Sequence, residues 1–216
     1  MDVTALRLGA EKPVQATRAD LPAVAADLSD AFADDVMFDW FLRPDARRDA
    51  ARLAFFEFVI ANMAFGEGSI ERPAVGGAAA IWLPFEALKP TALLTELRAL
   101  PVLLHATGLA RFSRLAAVRE AMDRHHPMNR PHAYLMFLGV SRAAQGHGVG
   151  SRLLKVGVDR CDAAGMPAYL ETQTERNLAL YRRHGFEVIS ENRPRPGSPT
   201  LWSMWREPLT GLPQAP

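Results

Sequence analysis

The stretch Gln145-Gly146-His147-Gly148-Val149-Gly150-Ser151 decides the fold of this chain. It follows an apolar run, Tyr134 to Val140, that has the composition of a buried central strand, and it precedes a helical pattern that starts near Val149. A turn this rich in glycine exposes backbone N–H groups, which suit a phosphate or pyrophosphate at the start of a helix. Residues 145–151 therefore predict a site for a phosphorylated ligand, with a turn that binds nothing as the alternative.

Two common phosphate loops fit this stretch poorly. The dinucleotide pattern G-x-G-x-x-G is matched by Gly146 and Gly148 but needs a third glycine where Ser151 stands. That pattern also requires an acidic residue about 20 residues later, a place that Glu171 fills, so this interpretation is weakened but stays open. The P-loop needs a lysine between glycine and serine, and Gly150 is followed directly by Ser151.

A third pattern, Gln/Arg-x-x-Gly-x-Gly/Ala, is matched by Gln145, Gly148 and Gly150. It resembles the coenzyme A pyrophosphate loop of the GCN5-related N-acetyltransferases, the GNAT family. The run from Ala168 to Phe186, Ala-Tyr-Leu-Glu-Thr-Gln-Thr-Glu-Arg-Asn-Leu-Ala-Leu-Tyr-Arg-Arg-His-Gly-Phe, is similar to the second half of the same family core. Together the two segments cover about residues 130–192. The residues of both segments look most like the puromycin N-acetyltransferase branch, which modifies small molecules. The Trp-Ser-Met-Trp-Arg segment near the end of the chain shares this likeness.

The resemblance implies an α/β fold of the GNAT type. We expect a mixed central sheet of about six to seven strands, flanked by helices, with a helical insertion before the central strand. The expected organisation is a loose leader at 1–12, a single GNAT domain at 13–207 and a tail at 208–216. Within the domain we expect N-terminal helices and a hairpin at 13–85, the insertion at 86–130, an acetyl-CoA-binding core at 131–192, and a closing loop and strand at 193–207.

Local patterns predict the elements before the core. A helix follows Asp20, and a second runs from Pro44 to about Phe65. A hairpin is predicted around Gly76-Gly77, between strands at 69–72 and 78–83. Residues 86–126 are helical in pattern, with breaks expected at Pro90, Pro101 and Gly108.

Composition bounds the function classes. The 216 residues are 49% hydrophobic and 23% charged, with a formal net charge of +1, so the whole chain gives no argument for nucleic acid or a membrane surface as partner. The single cysteine, Cys161, cannot form an internal disulfide, and we expect it to be a small buried residue. The N-terminus lacks the pattern of a signal peptide, so the cytoplasm is the expected location, with a monomer or homodimer as the expected state.

The resemblance implies acetyl-CoA as the cofactor and a set of residues that hold it. The backbone of the glycine turn would bind the pyrophosphate, and the backbone at Leu138 to Val140 would pair with the pantetheine arm, with a main-chain N–H near Val140 meeting the oxyanion. Asn177 would contact the same arm or serve as the N-cap of its helix. The implied cofactor-binding residues are Leu138, Gly139, Val140, Gln145, Gly146, His147, Gly148, Val149, Gly150, Ser151, Asn177 and Tyr181.

Two side chains are candidates for the proton transfers. Tyr181 would protonate the departing thiolate, since a phenol and a thiol have comparable pKa values, or it would only pack against the cofactor arm. Glu171, at the end of a strand, would take the proton of the amine or only orient the substrate. The acceptor wall is expected from aromatic and acidic residues between the first two helices, and its named members are Phe32, Asp35 and Trp40, together with Glu171. The alternative is that these aromatics are core and the aspartates are caps.

The function predicted on these grounds is direct acetyl transfer, in a ternary complex, from acetyl-CoA to a primary amine of a small molecule. The alternatives are a protein lysine or N-terminal acetyltransferase and a non-catalytic acyl-CoA sensor. No metal is expected, because His125, His126 and His132 lack the spacing of a closed site, and they are interpreted as capping or surface residues. Five basic residues of the insertion are interpreted as a solvated face, with contact to the 3′-phosphate of coenzyme A as the alternative: Arg98, Arg111, Arg114, Arg119 and Arg124.

Overall fold

One mixed sheet organises the molecule. The computed structural model describes residues 2–88 and 93–209, and within these ranges seven strands follow the order β1-β2-β3-β4-β5-β7-β6. Neighbouring strands are antiparallel except for β4 and β5, which are parallel. The predicted mixed sheet of six to seven strands is confirmed. The strands are β1 (Val14–Gln15), β2 (Ser69–Arg72), β3 (Ala78–Pro84), β4 (Ala133–Val140), β5 (Ala168–Thr172), β6 (Glu187–Asn192) and β7 (Leu201–Arg206).

Helices cover both faces of this sheet. On one face the core is built by α2 (Leu21–Ala31), α3 (Val36–Phe41), α4 (Arg48–Val59) and α5 (Leu93–His125). On the other face it is built by α1 (Val3–Glu11), α6 (Val149–Ala163) and α7 (Glu175–Arg183). The predicted order of strand, helix, strand, helix, strand and strand from β4 onward is confirmed, and Cys161 of α6 is buried as expected.

Close packing at Gly139 places the end of α2 beside the end of β4. A Cβ atom at Gly139 would lie 2.5 Å from Leu28 Cδ2 and 3.0 Å from Ala31 Cβ. Only glycine fits at this approach, so the helix lies directly on the strand. The residues that follow α2, including Asp35, are thereby held next to the end of β4 that leads into the glycine turn.

The expected loose leader is wrong, because residues 3–11 form helix α1. Asp2 caps this helix by accepting hydrogen bonds from the N–H groups of Thr4 and Ala5. Leu6 and Ala10 are fully buried against α6. Helix α1 has only nine residues, so its tertiary contacts, rather than propensity, fix it.

Two helix boundaries also differ from expectation. The second helix begins at Arg48 rather than near Pro44, because Asp45 instead forms a turn with Arg43 and the N–H of Arg47. Its last turn, residues 60–64, is π-helical.

The expected break at Pro101 is wrong, since Pro101 lies inside α5, whereas Gly108, at φ 63° and ψ 170°, does kink this helix. Pro90 lies outside the described residues, as does the predicted tail beyond Leu209.

Among the described residues, no helix combines the length and the apolar character that crossing a membrane requires.

Candidate active site

The sheet opens between β4 and β5. Their parallel pairing starts at Ala133 and Ala168 and ends at Leu135 and Leu170. Beyond that point β4 continues to Val140 with β3 as its strand partner, and the described residues supply no second strand on the β5 side. The last five residues of β4 therefore leave a main-chain edge facing the gap between the two strands, where an extended ligand can add hydrogen bonds as a strand would.

The glycine turn lies at the end of this edge. Gly146 and Gly148 have positive φ angles of 80° and 74°, and Gly148 is the residue from which α6 starts. Residues 145–148 are exposed, so their backbone is not covered by packed protein. A 15-residue helix begins here with its N–H groups directed at the turn, which is the arrangement that binds phosphate groups.

Three side chains brace the turn. Gln145 Nε2 donates to the carbonyl oxygen of Val140 at 3.0 Å, which ties the turn to the end of β4. Arg152 Nη1 donates to Gly148 O at 3.1 Å while its Nε donates to Glu11 of α1 at 2.7 Å. This guanidinium therefore adds a held positive charge beside the turn. Ser151 Oγ lies 2.8 Å from His184 Nε2, which joins the first turn of α6 to the end of α7.

Tyr181 on α7 is buried, and its phenol interacts electrostatically with Asp35 across the site. Burial, and then the charge of Asp35, raise the pKa of Tyr181 well above its usual value. The phenol is therefore protonated at neutral pH. Asn177, four residues earlier on the same helix face, is half-buried, and the N-cap of α7 is Thr174 rather than Asn177.

Asp35 is the N-cap of α3. Its Oδ1 accepts hydrogen bonds from the N–H groups of Met37 and Phe38, both at 3.0 Å, and its Oδ2 accepts one from Gln173 Nε2. Burial raises the pKa of Asp35, and these hydrogen bonds oppose the rise. Gln173 directly follows β5, so the pair joins the start of α3 to the strand that carries Glu171.

Glu171 lies on β5 in a buried polar cluster. Its side chain is 4% exposed, and its Oε1 accepts a hydrogen bond from Tyr169 Oη at 2.9 Å. Tyr134 of β4 also hydrogen-bonds this carboxylate. His126 Nδ1 lies 3.7 Å from Oε1. The carboxylate is thus held by two phenols and faces one imidazole, while little of it reaches solvent.

Comparison with known proteins fits this geometry. Residues 106–186 match the model of the Acetyltransferase (GNAT) family. The matched residues run from the second half of α5 to the residue before β6. A protein described as histone acetyltransferase HPA2 and related acetyltransferase, from Corynebacterium glutamicum ATCC 13032, is 28% identical with a TM-score of 0.68, over 94% of this chain and 98% of that chain.

Two further solved structures show the fold alone. The polyamine N-acetyltransferase of Drosophila melanogaster, described as catalysing the formation of N-acetylagmatine, is 17% identical with a TM-score of 0.60, over 90% of this chain and 98% of that chain. Arylalkylamine N-acetyltransferase 2 from Aedes aegypti is 12% identical with a TM-score of 0.61, over 90% and 97% of the two chains. The expected GNAT fold is confirmed. The closer resemblance to the puromycin N-acetyltransferase branch stays a prediction.

The expected acceptor wall of this GNAT core is largely packed. Phe32 contacts the rings of Phe38, Phe56 and Phe137 at centroid distances of 5.4, 5.5 and 5.8 Å, so it is a member of an aromatic core cluster. Trp40 lies against α5, where the guanidinium of Arg114 stacks on its ring at 5.5 Å. Of the four named wall residues, Asp35 and Glu171 are the ones that lie in polar surroundings.

The basic residues of the insertion are not one solvated face. Arg111 Nη1 donates to the carbonyl oxygens of Asp39 and Leu42 at 2.9 and 2.6 Å, and Arg114 Nη1 donates to that of Trp40 at 2.9 Å. These two guanidiniums bind the C-terminal end of α3. The interpretation of a solvated face is therefore wrong for these two, although Arg119 and Arg124 do form exposed ion pairs.

The histidines also differ from expectation. His125 Nδ1 contacts the carbonyl of Ala121 at 2.8 Å, as a capping residue does. His126 and His132 are not surface residues, because their side chains lie inside the aromatic cluster of Tyr134, Tyr169 and Trp205. Sequence spacing gave no signal for this, since the contact joins the end of α5 to β4 and β5. The described residues contain no group of three or more His, Cys, Asp or Glu placed to hold a metal ion.

Proposed function

We propose that this GNAT-family protein transfers the acetyl group of acetyl-CoA to a primary amine of a small molecule, directly, in a ternary complex. The observation that carries the proposal is the free edge of β4, which leads straight into the exposed glycine turn. An extended arm with a diphosphate at one end matches that combination of a strand edge and an anion-binding turn. Acetyl-CoA supplies such an arm, with an acetyl thioester at its other end.

The residues proposed to hold acetyl-CoA are those of the edge and the turn. Leu138, Gly139 and Val140 would pair with the arm through their main chain, and residues 145–151 would bind the diphosphate. The positive φ at Gly148 and the guanidinium of Arg152 support this assignment, since together they direct N–H groups and positive charge to one place. Asn177, which faces the same way as Tyr181, is proposed to contact the arm.

Tyr181 is proposed as the general acid. When the amine attacks the thioester, a C–N bond forms, the C–S bond breaks, and the departing thiolate needs a proton. Burial and the charge of Asp35 raise the pKa of Tyr181, so the phenol holds its proton when the reaction begins, although the same rise makes it a weaker acid than a free phenol.

Glu171 is proposed as the group that takes the proton of the amine. Its two phenol partners hold the carboxylate in one orientation, and its position on β5 places it beside the opening between the strands. The enclosure of the side chain argues for transfer through a bridging water rather than by direct contact.

A small acceptor is proposed because the insertion is anchored over the acceptor side. Arg111 and Arg114 fasten α5 to α3, and Arg43, which is buried, donates to His105 O of α5 at 3.0 Å. A fixed wall of this kind suits a compact amine, and the carboxylate of Asp35 suits a cation. The similarity to a protein described as a histone acetyltransferase makes lysine peptides the second class of acceptor to test.

The experiment is thiol release from acetyl-CoA measured over a library of small amines and a matched set of lysine and N-terminal peptides. We expect turnover with small primary amines and little with peptides. Turnover with peptides alone would show that the acceptor is a protein or peptide amine and not a small molecule. If calorimetry shows tight binding of acetyl-CoA but no acceptor is acetylated, the protein is a non-catalytic acyl-CoA sensor and not an enzyme.

Tyr181→Phe tests the mechanism. Because the phenyl ring keeps the packing but has no proton to give, we expect turnover at saturating substrate to fall by about 10²–10⁴-fold. The dissociation constant of acetyl-CoA, measured by calorimetry, should stay within about threefold. Unchanged turnover would remove Tyr181 from the reaction.

A further inference from the structure

Two buried histidines adjoin Glu171 and have no place in the reaction as described so far. His126 follows α5, and His132 precedes β4. Their Nε2 atoms lie 2.9 Å apart, and His132 Nδ1 lies 2.7 Å from the carbonyl oxygen of Arg130. The side chain of His126 is 11% exposed, whereas His132 is 1% exposed.

These contacts fix which nitrogens carry protons. A carbonyl oxygen only accepts, so His132 Nδ1 must be the donor to Arg130 O. Burial lowers the pKa of His132, so the ring is neutral and its Nε2 is an acceptor. The short contact between the rings then requires His126 Nε2 to donate. The one nitrogen of the pair left free to gain or lose a proton is His126 Nδ1, which faces Glu171.

We propose that Glu171 and His126 act as one unit, in which His126 Nδ1 is the second resting place for the proton taken from the amine. The inference rests on the proposed function, since it concerns the fate of that proton. The ammonium form of the acceptor gives one proton to the Glu171 carboxylate. That proton passes to His126 Nδ1, which yields an imidazolium beside a carboxylate, and the 11% of the His126 side chain that is exposed lets the pair return it to water. His132 is the positioning residue, because it sets the tautomer of His126.

The surroundings favour this pair over either group alone. The titratable groups around the His126 ring are Glu171 and Tyr169 from β5, Tyr134 from β4, and His132. The pKa values of both tyrosines are raised by burial, so they remain neutral donors. Farther away, Asp123 adds negative charge, and Arg130, paired with Glu207, adds positive charge. The Glu171 carboxylate is thus the charge that lies directly against the imidazole.

The first test needs no activity. Nitrogen NMR of the histidine side chains in the whole protein reports which ring nitrogen carries hydrogen. At high pH we expect His132 in the Nδ1–H form and His126 in the Nε2–H form. In Glu171→Gln, the His126 Nδ1 signal should change, because the carboxylate that it faces is gone. A His126 ring in the Nδ1–H form at high pH, or signals indifferent to Glu171→Gln, would overturn the proposal.

The second test is the pH profile of kcat/KM. In the wild type we expect kcat/KM to fall along an acidic limb, since the pair must lose its shared proton before it can accept another. In His126→Gln, the limb should move by about one to two units to lower pH, because a carboxylate without a histidine partner gives up its proton more readily than an imidazole does. An unchanged limb would overturn the proposal.

His125→Gln is the matched control, since His125 is the adjacent residue and contacts the carbonyl of Ala121 instead of the cluster. Its limb should stay in place. The wild type, His126→Gln and His125→Gln are assayed with the same amine, so the titration of the amine does not contribute to differences between their pH profiles. If no acceptor is turned over by the wild type, the proposed function fails while the NMR test still decides whether the pair exists. If turnover is present and both tests are negative, the inference alone fails.

Discussion

At the scale of the residue, a single glycine sets the geometry of the glycine turn at 145–151. Gly148 has φ 74°, and a Cβ atom there would lie 2.7 Å from Arg152 Nη1. Gly148→Ala therefore combines left-handed backbone strain of about 1–2 kcal/mol with displacement of the guanidinium. We expect the dissociation constant of acetyl-CoA, measured by calorimetry, to rise about tenfold or more.

Gly165→Ala is the control for that change. Gly165 has φ 60° at the end of the same helix, and a Cβ atom there would have no neighbour within 4 Å among the described residues. It should cost a comparable amount of stability in thermal unfolding and leave the affinity for acetyl-CoA unchanged. Equal loss of affinity in the two variants would mean that strain alone, and not the turn, is responsible.

Asp35→Asn tests the cost of a buried carboxylate. Because burial raises the pKa of Asp35, the folded protein holds this proton more tightly than the unfolded chain does. The ionised carboxylate therefore lowers the stability of the fold above the raised pKa, and this cost is absent below the ordinary pKa of an aspartate. Asparagine is an equally good N-cap, so we expect a melting temperature about 2–4 °C higher at pH 7 and no gain at low pH. Thermal unfolding from pH 3 to 8 measures this. Asp34→Asn, a change at the exposed neighbouring carboxylate, is the control.

Sequence reasoning located the residues of the turn but not all of the polar cluster. Glycine spacing is local, so Gln145, Gly148 and Gly150 are visible without a fold. His126 and Gln173 gain their roles from neighbours more than 40 residues away, such as Glu171 and Asp35. A lone histidine or glutamine carries no period and no spacing, and its partners appear once strands and helices are placed in space.

At the scale of the element, arginines attach α5 to the end of α3, which forms part of the proposed acceptor side. Arg111 donates to two carbonyl groups at the end of α3, where helix carbonyls otherwise lack partners. Arg111→Ala would leave them without this donor, and we expect a loss of about 1.5–3 kcal/mol in the free energy of unfolding by urea. The change should also raise KM for the amine more than KM for acetyl-CoA, because α3 starts at Asp35.

Arg119→Ala serves as the comparison. Arg119 lies on the same helix but pairs with Glu96 in an exposed ion pair, so we expect a loss of at most about 1 kcal/mol. Equal losses would show that α3 is held by other contacts. The run of arginines looked like one solvated face because helix periodicity does not tell which side of a helix meets a second helix.

At the scale of the whole molecule, the N-terminal helix completes the second core. Leu6 is fully buried, whereas Leu8, two residues later in α1, is 62% exposed. Leu6→Ala should lower the free energy of unfolding by about 2–5 kcal/mol, as large-to-small changes in a core do. Leu8→Ala should be nearly neutral in the same urea titration. Equal effects would mean that α1 is not docked on α6 in solution.

The order of strands and helices from β4 to β7 could be predicted because alternating apolar patterns and the family likeness agree there. Helix α1 could not, since its nine residues are held by contacts with α6 that lie more than 140 positions away, such as Glu11 with Arg152. Pro101 misled in the opposite direction, because a proline within a long helix is tolerated when neighbouring packing supplies the lost hydrogen bond.

The gap beside β4 separates two contiguous stretches of polypeptide. The residues proposed to bind the donor lie between 138 and 181, while Asp35, Trp40 and the arginines that fasten α5 to α3 lie between 35 and 114. Under the proposed function, change in the first stretch would weaken the binding of acetyl-CoA, whereas change in the second would alter mainly which amines are accepted. The architecture thus lets chemical specificity drift during evolution without putting the transfer machinery at risk.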